Sequence, residues 1–142
     1  MSRMIFINLP VSDLAKSVAF YEATGATKNP QFSDDTAACM VISDTIYVML
    51  LTHPKFASFT SRPIGDRASV HALLCLSCDS KDAVLAQLDA AVKAGGTPDP
   101  TPEQDYGFMY GRSYEDPDGH IWEIMWMDPA AAAEGPPAEA TA

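Results

Sequence analysis

The run DPDGHIWEIMW, Asp116–Trp126, sets one carboxylate, Glu123, inside an apolar stretch that follows an acidic turn. A charge in such a stretch is costly unless something pairs with it. Three roles fit: a metal ligand, a base that takes a proton beside a carbonyl, or a solvated residue on a sheet's outer face. Two other polar side chains can join it. Asn8 both donates and accepts hydrogen bonds, and His71 is a second acid–base group. Cys75 and Cys78 form a CxxC, but the stretch HALLCLSCD reads as a strand. Residues three apart in a strand point to opposite faces, so the pair reads as two buried thiols and not as a shared site. His120 and Glu123 are separated by the same rule. His53 ends a strand just before Pro54 and belongs at a rim.

These residues need a scaffold, and the chain writes one out twice. MIFINL (Met4–Leu9) is a strand stopped by Pro10. A helix follows over Asp13–Thr24, capped by Ser12 or Asp13 and ended at Gly25. Three strands come next: Thr27–Phe32, Ala38–Ile42 and Thr45–Thr52. The order then recurs. Val70–Ser77 is a strand, and Ser80–Ala94 is a helix with Val84, Leu88 and Val92 on one face. A proline-broken edge segment spans Thr97–Glu103. A strand pair, Tyr106–Tyr114 and His120–Met127, closes the second half around the Asp116–Gly119 turn. The fold class expected is α+β: two tandem βαβββ modules, about 3–52 and 69–127, forming an open barrel-like mixed sheet around a cavity. Residues 1–127 then make one domain. The connection Thr52–Ala68 is either a lid or a covered link, and the low-complexity tail 128–142 is expected to be disordered.

Composition narrows the function. Net charge is −10, from 19 acidic and 9 basic residues, which leaves no basic patch for nucleic acid or an anionic membrane. No apolar run is long enough to span a bilayer. Three cysteines, an odd number, fit a reducing compartment better than a disulfide framework. The location expected is cytoplasmic.

LPVSDLAKSVAFYEATGA, then Gly95–Gly96, then DPDGHIWEI resemble, in that order, the vicinal-oxygen-chelate superfamily of glyoxalases, bleomycin-resistance proteins and extradiol dioxygenases. The resemblance covers residues 3–127, and the nearest look-alikes are predicted lactoylglutathione lyases. It implies a homodimer and, in metal-dependent members, one ligand from the first and last strand of each module. Glu123 matches the last of these positions. The other three fall on Phe6, on the face with Val48 and Leu50, and on Leu73, none of which coordinates a metal. His71 lies one pleat from Leu73. No cofactor is expected, and a weak divalent metal at Glu123 and His71 is the one exception left open.

Strand alternation gives the cavity an inward face of Met4, Phe6, Asn8, Val48, Leu50, His71, Leu73, Glu123 and Met125. That is apolar with a few polar groups, as in small-molecule sites. Glu123 is the expected catalytic residue. Phe6, Asn8, Val48, Leu50, His71, Leu73 and Met125 are the expected substrate-binding residues. The function expected is a glyoxalase- or bleomycin-resistance-like protein with lyase or isomerase chemistry. The alternative is non-catalytic sequestration of a hydrophobic small molecule such as an antibiotic.

Overall fold

A computed structural model describes residues 2–135. The first half contains β1 (Ile5–Val11), α1 (Leu14–Ala23), β2 (Thr27–Asn29), β3 (Ala37–Val41) and β4 (Ile46–Thr52). Asp13 caps α1 by accepting the N–H of Lys16 at 3.1 Å, as the acidic residue before an apolar helix face should. The expected strand over Thr27–Phe32 stops at Asn29, where Pro30 opens a 3-10 turn through Phe32. After β4 comes α2 (His53–Ala57), with Pro54 in its first turn.

The second half contains β5 (Leu74–Ser77), α3 (Lys81–Lys93), β6 (Thr97–Pro98), β7 (Gln104–Asp105), β8 (Met109–Glu115) and β9 (Ile121–Met127). Ser80 caps α3 through the N–H of Ala83 at 3.0 Å. Gly96, just past that helix, is forced by space. A Cβ there would meet Glu115 O at 2.8 Å and Ala91 O at 2.9 Å. The expected strand from Val70 begins only at Leu74, so His71 and Leu73 lie in the preceding loop. The tail expected to be disordered starts instead with α4 (Pro129–Glu134), capped by Asp128; residues 136–142 lie outside the described residues.

The expectation of one barrel-like sheet is corrected. There are two mixed sheets, and they do not close into a barrel. The first runs β1-β4-β3-β2 and the second β5-β9-β8-β6, with β7 also on β8. In each, the first strand pairs in parallel with the last strand of its half, so β1 and β5 are both left as edges. The halves join instead through their helix-covered sides. Phe20, Tyr21, Val84, Leu88, Tyr114 and Trp122 share one buried core with Val48 and Leu50.

Polar contacts fix the same joint, and the DPDG turn supplies most of them. Asp116 is buried, 1% exposed, and accepts Tyr21 Oη–H at 2.7 Å and the N–H groups of Asp118 and His120 at 2.9 and 2.8 Å. Trp122 donates to Tyr21 Oη at 2.9 Å. Asp118 accepts the N–H of Ser12 at 2.9 Å, and His120 Nε2 donates to Pro10 O at 2.7 Å. Burial raises the Asp116 carboxyl above its ordinary range, opposed by His120 and by the Tyr21 hydrogen bond. Burial also pushes the Tyr21 hydroxyl well up, with Asp116 adding to it.

Candidate functional site

Each sheet has one face against the helices and one turned away. On β1, Leu9 and Val11 enter the core, so Phe6 and Asn8 project from the other face, where both are exposed. Parallel pairing sets Phe6 beside Tyr47 and Asn8 beside Met49. The Phe6 and Tyr47 rings stack at 4.8 Å with 11° between planes. Val48 and Leu50 pair with Ile7 and Leu9 and are fully buried on the helix side. Their expected place in the cavity is corrected: they are core. The run IYVMLL, Ile46–Leu51, has no charged or strongly polar residue, so alternation is silent about its faces, and the register with β1 decides.

On the second sheet Trp122 and Ile124 enter the core, and Glu123 and Met125 project from the far face. Glu123 lies between Cys75 on β5 and Ser113 on β8 in register. The segment 99–103 folds over it. Thr101 is tied to Ser113, with its N–H at 3.1 Å and its hydroxyl at 2.8 Å from Ser113 Oγ, and the same hydroxyl stands 3.5 Å from Glu123 Oε2. Arg112 anchors this segment from the opposite face, donating to Asp99 at 2.8 and 2.7 Å and to Tyr110 Oη at 3.2 Å. A small cavity of about 110 Å³ lies against Glu123, walled by Cys75, Thr101, Gln104, Met109 and Met125. Partial desolvation first, then the nearby Glu123 charge, raises the Cys75 thiol, although the residue is exposed at the sheet edge.

A family model described as the glyoxalase/bleomycin resistance protein/dioxygenase superfamily matches residues 3–124. The chain belongs to that superfamily. A hypothetical protein from S. aureus is similar in structure, with TM-score 0.74, 25% identity, and 89% of this chain and 95% of that one covered. A glyoxalase/bleomycin resistance protein/dioxygenase family enzyme from Burkholderia phytofirmans gives TM-score 0.72 at 20% identity, covering 89% and 99%. A fosfomycin resistance protein from Listeria monocytogenes gives 0.63 at 18% identity, covering 89% and 91%. No curated protein sequence matches it.

Within one chain of this superfamily member, the expected site residues do not meet. Phe6 and Asn8 stand on the first sheet and Glu123 and Met125 on the second, and neither Phe6 nor Asn8 lines the Glu123 cavity. His71 and Leu73 are exposed in the loop before β5, outside the wall of the Glu123 cavity. A divalent metal does not fit these residues. The face of the first sheet offers Phe6, Tyr47, Met49 and Asn8, which add no imidazole, carboxylate or thiolate to Glu123. Among the described residues no three His, Cys, Asp or Glu side chains gather closely enough to hold an ion. Sequence reasoning missed Thr101, Ser113 and Cys75 around Glu123. The cross-strand partners were readable in principle once the β5–β9–β8 register was known. Thr101 left no signal, because it sits in a segment broken by prolines.

A larger groove, about 600 Å³, runs along the free edge of β5 toward Ile42 and Ile46. The β5 ladder leaves Cys75 and Ser77 with backbone groups pointing into it, since Cys78 N–H already faces β9 through Met125 O at 2.7 Å. The β1 edge is built alike. Ile5 N–H bonds Thr45 O at 2.8 Å toward β4, which leaves Phe6 and Asn8 pointing outward.

Proposed function

We propose that this superfamily member is a binding protein for an apolar, aromatic-bearing small molecule, and that a second copy of the chain completes its cavity. The observation that carries this reading is the exposed apolar surface on the first sheet and in the loop before β5. Phe6 and Leu73 are each 50% exposed, Val70 is 58% exposed, and the stacked Phe6–Tyr47 pair lies in the open. Exposed apolar residues in such number mark a surface that something covers. The edges of β1 and β5 each present two residues whose backbone groups point outward, the Phe6 carbonyl met there only by the Asn8 amide at 3.5 Å, which suits pairing of β1 in one copy with β5 in the other. A homodimer of that kind brings Phe6 and Asn8 of one copy opposite Glu123 and Met125 of the other. The cavity would then hold Phe6, Asn8, Glu123 and Met125 of the residues expected from the sequence; Val48 and Leu50 stay in the core, and His71 and Leu73 in the loop before β5.

Lyase or isomerase chemistry is the second reading. Among the described residues Glu123 has no ion-pair partner, and it could take a proton from bound substrate. A developing enolate would need a metal or a donor beside it, and Arg112, which borders the cavity, is bound to Asp99. That tips the balance toward binding. Some structural relatives are named fosfomycin resistance proteins, so an antibiotic belongs among the ligands to try. The test is native mass spectrometry of the purified protein. A dimer carrying an organic molecule, lost from Phe6→Asp, is expected. A metal-loaded protein that converts the methylglyoxal–glutathione adduct, and stops on Glu123→Ala, would overturn the binding reading.

A further inference from the structure

We propose that the cavity beside Glu123 receives the ammonium end of an organic cation, so that this carboxylate selects a ligand's charge instead of holding a metal. The inference rests on the binding-protein reading above, and it uses a pocket that a single chain already contains. Four observations support it.

Glu123 has spare acceptor capacity. A carboxylate offers about four lone-pair positions. Its one side-chain neighbour within reach is Thr101, at 3.5 Å, and the single proton of that hydroxyl has Ser113 Oγ nearer, at 2.8 Å. Among the described residues no Lys, Arg or His forms an ion pair with Glu123.

The surroundings favour positive charge. Arg112 borders the cavity, but it pairs in register with Ile124, so its side chain leaves from the other face. Its guanidinium is held by Asp99 and lies 3.7 Å from Glu103. Two carboxylates therefore offset that one cation, and Glu123 remains uncompensated.

Size selects the group. About 110 Å³ is room for roughly four waters at their liquid volume, enough for a primary or methylated ammonium and its first carbons but not for a whole ligand. The ligand's body must extend outward over the sheet face.

The walls suit an alkylammonium. Met109, Met125 and the raised, neutral Cys75 thiol give apolar, polarizable contact to the carbons, while Glu123 and Thr101 supply oxygens. An ammonium needs only such acceptors, whereas a catalytic metal site needs about three protein ligands.

The full-length protein should be titrated calorimetrically with three matched probes: phenethylamine, phenethyl alcohol and phenylpropanoate. The amine is expected to bind about tenfold or more tightly than the alcohol, with the carboxylate weakest, and Glu123→Gln should abolish the difference. Met109→Lys, which sets a tethered ammonium at the same place, should block the amine while the fold is retained. Equal binding of amine and alcohol, unchanged in Glu123→Gln, overturns the ammonium assignment and leaves the binding-protein reading standing. Binding of none of the three overturns the assignment too, and an organic molecule still carried through purification would separate that outcome from failure of the broader reading.

Discussion

Asp116 and Glu123 share a turn-and-strand segment and have opposite fates. Asp116 is enclosed and fully bonded, holding Tyr21 and two backbone N–H groups. Asp116→Ala would strand the buried Tyr21 hydroxyl and two partly buried N–H groups, and should destabilise the fold by about 1–3 kcal/mol or more in chemical denaturation. Its titration gives a second check. Burial sets the folded-state carboxyl above the ordinary value of 3.8. The folded protein therefore holds this proton more tightly than the unfolded chain does. The associated stability is complete below the ordinary value and is lost as pH rises through the raised one. The stability of the wild type relative to Asp116→Asn should fall with rising pH across that window; a rise would contradict the burial account. Glu123, by contrast, is half-buried and short of donors, which is why its partner is sought outside the chain.

At the scale of elements, close approach matters more than propensity. Gly96 brings the end of α3 against β8, where two backbone oxygens and the buried Phe20 ring obstruct a side chain and cannot move aside cheaply. Gly96→Ala should cost about 1–3 kcal/mol by overpacking, read as a lowered unfolding midpoint, whereas an unchanged midpoint would mean the joint is looser than it looks. Arg112 ties the 99–103 segment down through Asp99, which itself sits at φ 57°. Arg112→Ala should release that segment, seen as faster amide exchange at Thr101 with little change in the core strands. The helices were legible in the sequence because their caps, Asp13 and Ser80, and their apolar faces agree. Alternation did not fix the face of Glu123, the one polar residue in Ile121–Met127; its place opposite the core residues Trp122 and Ile124 follows from the strand register after the DPDG turn. The faces of Val48 and Leu50 were not legible, since no residue around them is charged or strongly polar. Thr101 was not either, because its place over Glu123 is decided by side-chain bonds across the sheet edge.

For the whole molecule, two sheets of like strand order pack through their helices and leave the face opposite the helices and the β1 and β5 edges outward. No residue pattern announces this division, because an edge strand and a paired one can carry the same side chains; the sequence therefore read as one continuous sheet. A single copy leaves Phe6 and Glu123 apart, and the proposed second copy unites them. The chain should therefore sediment as a dimer at micromolar concentration, and Phe6→Glu should shift it toward monomer by placing a charge in the covered face. The most direct measurement is covalent. In a Cys78→Ser background, Asn8→Cys places a thiol on β1, and the native Cys75 lies exposed on β5. Treatment with a short bis-maleimide should give a product of twice the chain mass on a denaturing gel, with peptide mapping that joins residue 8 to residue 75. Recovery of the junction only within single chains, or of no junction in a protein that sediments as a monomer, would contradict the account.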